Sequence, residues 1–264
     1  MKQGILIVSF GTTYQETREK NIEKIAETVT DIFPDWDIYQ AYSSNTVRNI
    51  LKKRDNIIIP DTQEALKQMS EAGITKVVIL PTHIIDGIEN NRMKQSIKKC
   101  GALFEEIKIA RVLLGYEEDY KVTAKALWED MKDLAEDAPV ILMGHGSAHE
   151  ADQSYEILEQ ELRFYSKKDI YIATVEGADT ISSVIERLNA SHADRGRVLL
   201  LPFMLVAGDH ATNDMAGEED SFASLLKQEG YEPQCVLKGI GEYESIRNIY
   251  IQHLQEAMKG TGIE

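Results

Sequence analysis

The sequence predicts an α/β protein of two similar Rossmann-like halves, each a four-stranded parallel sheet flanked by helices, with a cleft between them. Two observations carry this. Short apolar runs alternate with amphipathic stretches along all 264 residues. Several motifs of the first half also recur, in the same order, in the second.

The apolar runs suited to buried parallel strands are Ile5–Phe10, Ile38–Tyr42, Lys76–Pro81, Ile107–Leu114, Val140–Gly144, Ile170–Val175, Val198–Phe203 and Cys235–Lys238. Between them, stretches such as Gln15–Ile32, Thr62–Ala72, Tyr120–Ala135, Ala151–Tyr165 and Tyr243–Met258 carry helical periodicity. Thr13 with Glu16, and Ser147 with Glu150, have capping-box spacing. Gly101 and Gly230 fall where helices should stop.

The repeat is built from four matches. Ser-Phe-Gly-Thr at 9–12 corresponds to Gly-His-Gly-Ser at 144–147, and Asp-Ile-Tyr occurs at 37–39 and at 169–171. Ile-Leu-Pro at 79–81 corresponds to Leu-Leu-Pro at 200–202, and Gly115-Tyr-Glu-Glu to Gly239-Ile-Gly-Glu. The expected division is an N-terminal half, 1–137, and a C-terminal half, 138–264, meeting in the loop Ala-Glu-Asp-Ala-Pro.

Composition narrows the function. A net charge of −15 opposes binding to nucleic acid, which needs clustered Lys and Arg, and to anionic lipid. No apolar run approaches the roughly 18 residues of a membrane span. The N-terminal MKQGILIVSFGTT reads as a first strand rather than a signal peptide. The only cysteines, Cys100 and Cys235, have no ligand spacing, and a reducing cytoplasm is the simpler setting.

Ligands of open parallel sheets bind beyond the carboxyl ends of the strands. In the second half these ends carry His145 after Val-Ile-Leu-Met-Gly, Glu176 after Ile-Ala-Thr-Val, and His210 after Leu-Val-Ala-Gly-Asp. If each half is wound 2-1-3-4, the fifth, sixth and seventh strands are neighbours, about 4.8 Å apart, and these side chains can converge on one ion. Two imidazoles and a carboxylate suit Co, Fe, Ni or Zn and leave coordination positions open. The alternatives at this level are a hydrogen-bonded structural histidine and a helix-capping glutamate. His149, His192 and His253 read as surface residues. Ser9–Thr13 resembles an anion nest but lacks the glycine and lysine pattern of nucleotide loops. By the repeat, Glu89 corresponds to His210, each eight residues after its proline, and is expected to face the cleft.

At these residues the sequence resembles the sirohydrochlorin cobaltochelatases of anaerobic cobalamin biosynthesis, members of the class II chelatases. The resemblance covers nearly the whole chain. It rests on Ile-Val-Ser-Phe-Gly-Thr-Thr-Tyr (7–14), His-Ile-Ile-Asp-Gly-Ile-Glu (83–89), Met-Gly-His-Gly (143–146) and Leu-Pro-Phe-Met-Leu-Val-Ala-Gly-Asp-His-Ala-Thr-Asn-Asp-Met (201–215). It implies a chelatase-like fold, a metal site of His145, Glu176 and His210, and His145 as proton acceptor. Co(II) would be the substrate metal, with no organic cofactor, and sirohydrochlorin the tetrapyrrole. Insertion releases two protons, and Glu89 is the expected helper for the second. Phe10, Tyr42 and Leu205 are placed to line the flat ring, or else pack in the core. Arg48, Lys52, Lys53 and Arg54 are candidates for a basic rim that receives the ring's carboxylates. A homo-oligomer is compatible with the sequence. The rival readings are insertion of iron into sirohydrochlorin or a porphyrin, and a non-catalytic carrier of metal or tetrapyrrole.

Overall fold

The computed structural model describes residues 2–146, 151, 153–191 and 195–260. The chain forms two compact units, one of Met1–Gly115 with Arg247–Glu264 and one of Tyr116–Ile246.

The first unit is built on strands β1 (Lys2–Ser9), β2 (Asp37–Tyr42), β3 (Ile74–Pro81) and β4 (Glu106–Ile109), all parallel, in the order β2-β1-β3-β4. Its helices are α1 (Gln15–Arg18), which runs through a π segment (Glu19–Glu23) into α2 (Lys24–Ile32), then α3 (Asn45–Ile50), α4 (Thr62–Glu71) and α5 (Ile88–Cys100). Strand residues alternate between the two faces of the sheet. On one face Leu6, Val8, Val77 and Ile79 meet Ala65, Leu66 and Met69 of α4 and Met93 and Ile97 of α5. Each such aliphatic side chain, fully withdrawn from water, contributes on the order of 1.5–3 kcal/mol.

The second unit repeats the design. Strands β5 (Val140–Gly144), β6 (Ile170–Thr174), β7 (Arg197–Pro202) and β8 (Glu232–Cys235) are parallel in the order β6-β5-β7-β8. They alternate with α6 (Glu117–Ala135), α7 (Gln153–Ser166), α8 (Ile181–Ser191), α9 (Phe222–Gln228) and the start of α10 (Glu244–Met258). Ile141, Met143, Val198 and Leu200 pack against Val184 and Leu188 of α8 and Phe222 and Leu226 of α9.

The units are cut differently from the sequence repeat because two helices pack away from their own half. α6 lies against α7, where Tyr120 Oη and Ser154 Oγ share a hydrogen bond of 2.8 Å. Most of α10 belongs to the first unit. There Tyr250 Oη donates to Thr82 O at 2.9 Å, Lys108 Nζ donates to Met258 O at 3.0 Å, and Arg111 pairs with Glu256. Tyr250 is fully buried, so Tyr250→Phe removes a hydroxyl that water cannot replace. It is expected to lower the unfolding free energy by about 1–2 kcal/mol, read as a lower denaturant midpoint at unchanged slope.

Several local expectations are corrected. The eighth strand is Glu232–Cys235 rather than Cys235–Lys238. It is an edge strand holding Pro233, with Glu232 and Gln234 exposed, so it lacks the continuous apolar run of a central strand. The fourth ends at Ile109. Beyond it, Leu113 and Leu114 donate to His83 O and Ile84 O as a buried loop outside the sheet. No capping box forms at Thr13. The residue before α1 is Tyr14, whose amide donates to Thr12 Oγ1 at 3.3 Å. His253 is buried, not superficial, because it faces inward from α10. His149, His192 and the Ser147–Glu150 pair lie outside the described residues.

Candidate metal centre

β5 ends at Gly144 between its two neighbours, and the backbone continues their pairing beyond the sheet. Val175 N donates to Gly144 O at 3.1 Å, and Glu176 N donates to His145 O at 2.8 Å. His145 and Glu176 are thus fixed side by side by main-chain bonds. The turn needs Gly146, whose φ is +79°. A Cβ there would stand 2.3 Å from Gly177 N, so the two strand-end turns touch through bare backbone.

His210 arrives from the other side of β5. The order β6-β5-β7 is the one the strand-end argument required. Beyond β7 the chain enters a π segment, Ala211–Met215, whose Ala211 and Met215 are fully buried in the core of the unit. His210 and Asp214 keep about a third or more of their side-chain surface.

The imidazoles of His145 and His210 lie with centroids 4.8 Å apart and planes at 86°. An imidazole bound through one nitrogen at about 2.1 Å holds its centroid roughly 3.2 Å from the ion, so two rings in adjacent coordination positions stand roughly 4.5–5.2 Å apart. The observed separation falls within that range. His145 Nδ1 lies 3.0 Å from Gly146 O, which can only accept, so this bond puts the hydrogen on Nδ1. Glu176 is 63 % exposed and its Oε2 lies 3.9 Å from His145 Nδ1. Among the described residues no three His, Cys, Asp or Glu groups already close on an ion. The two imidazoles are paired, while the carboxylate of Glu176 is solvent-exposed.

The other expected residues fare differently. Tyr42 offers no face to a ligand. It is 1 % exposed, with its ring under Gly11, where a Cβ would approach it to 2.5 Å. An aromatic at a buried parallel strand end is claimed by the core. Phe10 is 47 % exposed and Leu205 half-buried. Glu89 opens α5 and pairs with Arg92. Of the rim candidates, Arg48 is bound to Asp61 and Glu64, and Arg54 to Asp55 and Thr13 O, whereas Lys52 and Lys53 are exposed. Ser9 is buried, its Oγ accepting from Thr82 Oγ1 at 2.8 Å, so its hydroxyl is not presented to a ligand.

Sequence reasoning passed over His83 and Asp214. His83 is buried at the end of β3, and neither ring nitrogen has a hydrogen-bond partner among the described residues. Burial pushes its pKa down to about 4, against the opposing charges of Glu89 and Asp86 and the nearby Asn90 amide. The unfolded chain therefore takes up a proton near pH 6.5, which the folded chain refuses until about pH 4. Stability is complete above that window and falls by about 3 kcal/mol as pH drops through it. Denaturant midpoints between pH 7 and 4.5 should show this slope, and His83→Gln should flatten it.

Two doubly wound parallel sheets in tandem, with two imidazoles meeting beyond the carboxyl edge of the second, are an architecture shared with solved class II chelatases. The structure of SirB from Bacillus subtilis with Fe3+ matches with a TM-score of 0.69 at 15% identity, over 98% of each chain. That of CbiX, the terminal enzyme for siroheme biosynthesis in denitrifying bacteria, matches at 0.57 and 14% identity, over 96% of this chain and 99% of that one. Residues 3–259 match the cobalt chelatase (CbiK) family, and the chain belongs to it. A sirohydrochlorin cobaltochelatase of Salmonella typhimurium is 33% identical over 98% of this chain and 97% of its own length. The sirohydrochlorin cobaltochelatase CbiKC of Nitratidesulfovibrio vulgaris is 30% identical over 97% and 91%. Among the described residues no helix is long and apolar enough to cross a membrane.

Proposed function

We propose that this chain inserts Co(II) into sirohydrochlorin with release of two protons, holding the ion on His145, Glu176 and His210. The observation that carries this is the pair of imidazoles 4.8 Å apart at the ends of neighbouring strands, in a chain whose curated relatives bear that activity in their names. Metal and tetrapyrrole are both substrates, and the reading calls for no organic cofactor. Two cysteines without a disulfide accord with a cytoplasmic setting.

The roles follow from the donors. With hydrogen on Nδ1, His145 presents Nε2 as a lone pair, and while Nε2 holds the ion it has none left for a proton. Ligand exchange onto the ring nitrogens frees Nε2, which then takes one of the protons the ring releases. Glu89 is the proposed acceptor of the second. Glu176, exposed beside His145, completes the ion's coordination. Phe10 and Leu205 remain the proposed contacts for the ring, and Lys52 and Lys53 for its carboxylates.

Glu89→Gln tests the second acceptor. Insertion should slow on the order of 100-fold with Co(II) affinity unchanged, the range of a lost general base. Unchanged turnover would remove Glu89 from the mechanism. Time courses of sirohydrochlorin absorbance with Co(II), together with direct Co(II) titration, measure both.

A further inference from the structure

We infer that Asp214 is a positioning residue that selects the tautomer and ring angle of His210, so that Nε2 of this imidazole is turned to the metal. His210 Nδ1 lies 2.6 Å from Asp214 Oδ2. A carboxylate can only accept, so the hydrogen of that bond resides on Nδ1 and the lone pair on Nε2. His145 is set the same way by a different acceptor, the Gly146 carbonyl. Both imidazoles therefore have Nδ1 committed to protein, through two different acceptors, and Nε2 left for the ion.

The local fold accounts for the pairing. His210 is the cap of a π segment and Asp214 lies within it, and side chains four apart on such a helical turn are neighbours on one face. The neighbouring Asp209 and Asn213 pair in the same way, Asn213 Nδ2 donating to Asp209 Oδ1 at 3.0 Å. Ala211 and Met215, also four apart, anchor the segment in the core. The turn is closed by Gly217 N donating to Asn213 O at 3.1 Å, where a Cβ on Gly217 would lie 2.3 Å from that oxygen. Asp214 is thus held by the fold rather than by the metal.

This inference rests on His210 being a metal ligand, and the test separates the two. Nitrogen-15 long-range correlation spectra of the metal-free protein, with the His210 signals assigned by their loss in His210→Gln, report which ring nitrogen carries hydrogen. The expected result is hydrogen on Nδ1 in the unaltered protein and a tautomer mixture in Asp214→Ala, with Co(II) binding weakened 10- to 100-fold, the usual range for such outer partners. Hydrogen on Nε2 in the unaltered protein overturns the inference whether or not Asp214→Ala folds. So does an Asp214→Ala protein with unchanged tautomer and affinity. Full Co(II) affinity in His210→Gln would instead overturn the ligand assignment and leave the tautomer result standing.

Discussion

Replacing His145 and His210 together with alanine is expected to bring cobalt insertion down to the rate of the uncatalysed reaction. The two rings are the only preorganised donors of the proposed site, 4.8 Å apart and each tied at Nδ1. Glu176, largely exposed and turned to the Nδ1 side of His145, cannot hold an ion alone. Each single variant should already lose on the order of 100-fold in Co(II) affinity, at least what is usual for a lost outer partner of a ligand. Both side chains keep more than a third of their surface exposed, so stability should change by about 1 kcal/mol or less. Circular dichroism and thermal unfolding check the fold, and sirohydrochlorin absorbance with Co(II) checks the rate. A folded, fully active double variant would remove both histidines from the chemistry.

Gly146→Ala should injure both fold and activity. Its φ of +79° is costly for any residue with a Cβ, and that Cβ would stand 2.3 Å from the backbone nitrogen of Gly177. Strain of this kind costs on the order of 1–3 kcal/mol before any contact is counted. The clash adds to it, because backbone must move. What moves is the contact between the His145 and Glu176 turns, and a displacement of about 1 Å can slow a reaction 100-fold. The expected outcome is a lower melting temperature together with insertion at least on the order of 100-fold slower. Near-normal turnover in a stable Gly146→Ala protein would show that the two turns need not touch.

The sequence made the sheet order and the strand-end residues legible for definite reasons. Buried parallel strands such as Val140–Gly144 and Val198–Phe203 read as unbroken apolar runs, and ligands gather at their carboxyl ends. The edge strands were harder, because Glu232–Cys235 alternates polar with apolar and its neighbour Val236–Leu237 mimics a core run. His253 was misplaced, and the choice between ring contact and core for Tyr42 was left open, because composition does not say which histidine or aromatic faces inward. Where α6 and α10 pack depends on contacts such as Tyr250 with Thr82, far apart in sequence. Asp214 was within reach, since His210 and Asp214 are four residues apart after a strand end. The missing information was that the chain turns helical at His210, which brings the two side chains within reach.

The most direct measurement of the central claim is a single-turnover experiment. Anaerobic sirohydrochlorin is mixed with excess protein and Co(II), Fe(II) or Ni(II) in turn, and the macrocycle's absorbance is followed. Co(II) is expected to enter the ring far faster than without protein, with two protons released per ring metallated. Tight binding of the tetrapyrrole with no acceleration for any of the three metals would contradict it and leave a carrier in place of an enzyme.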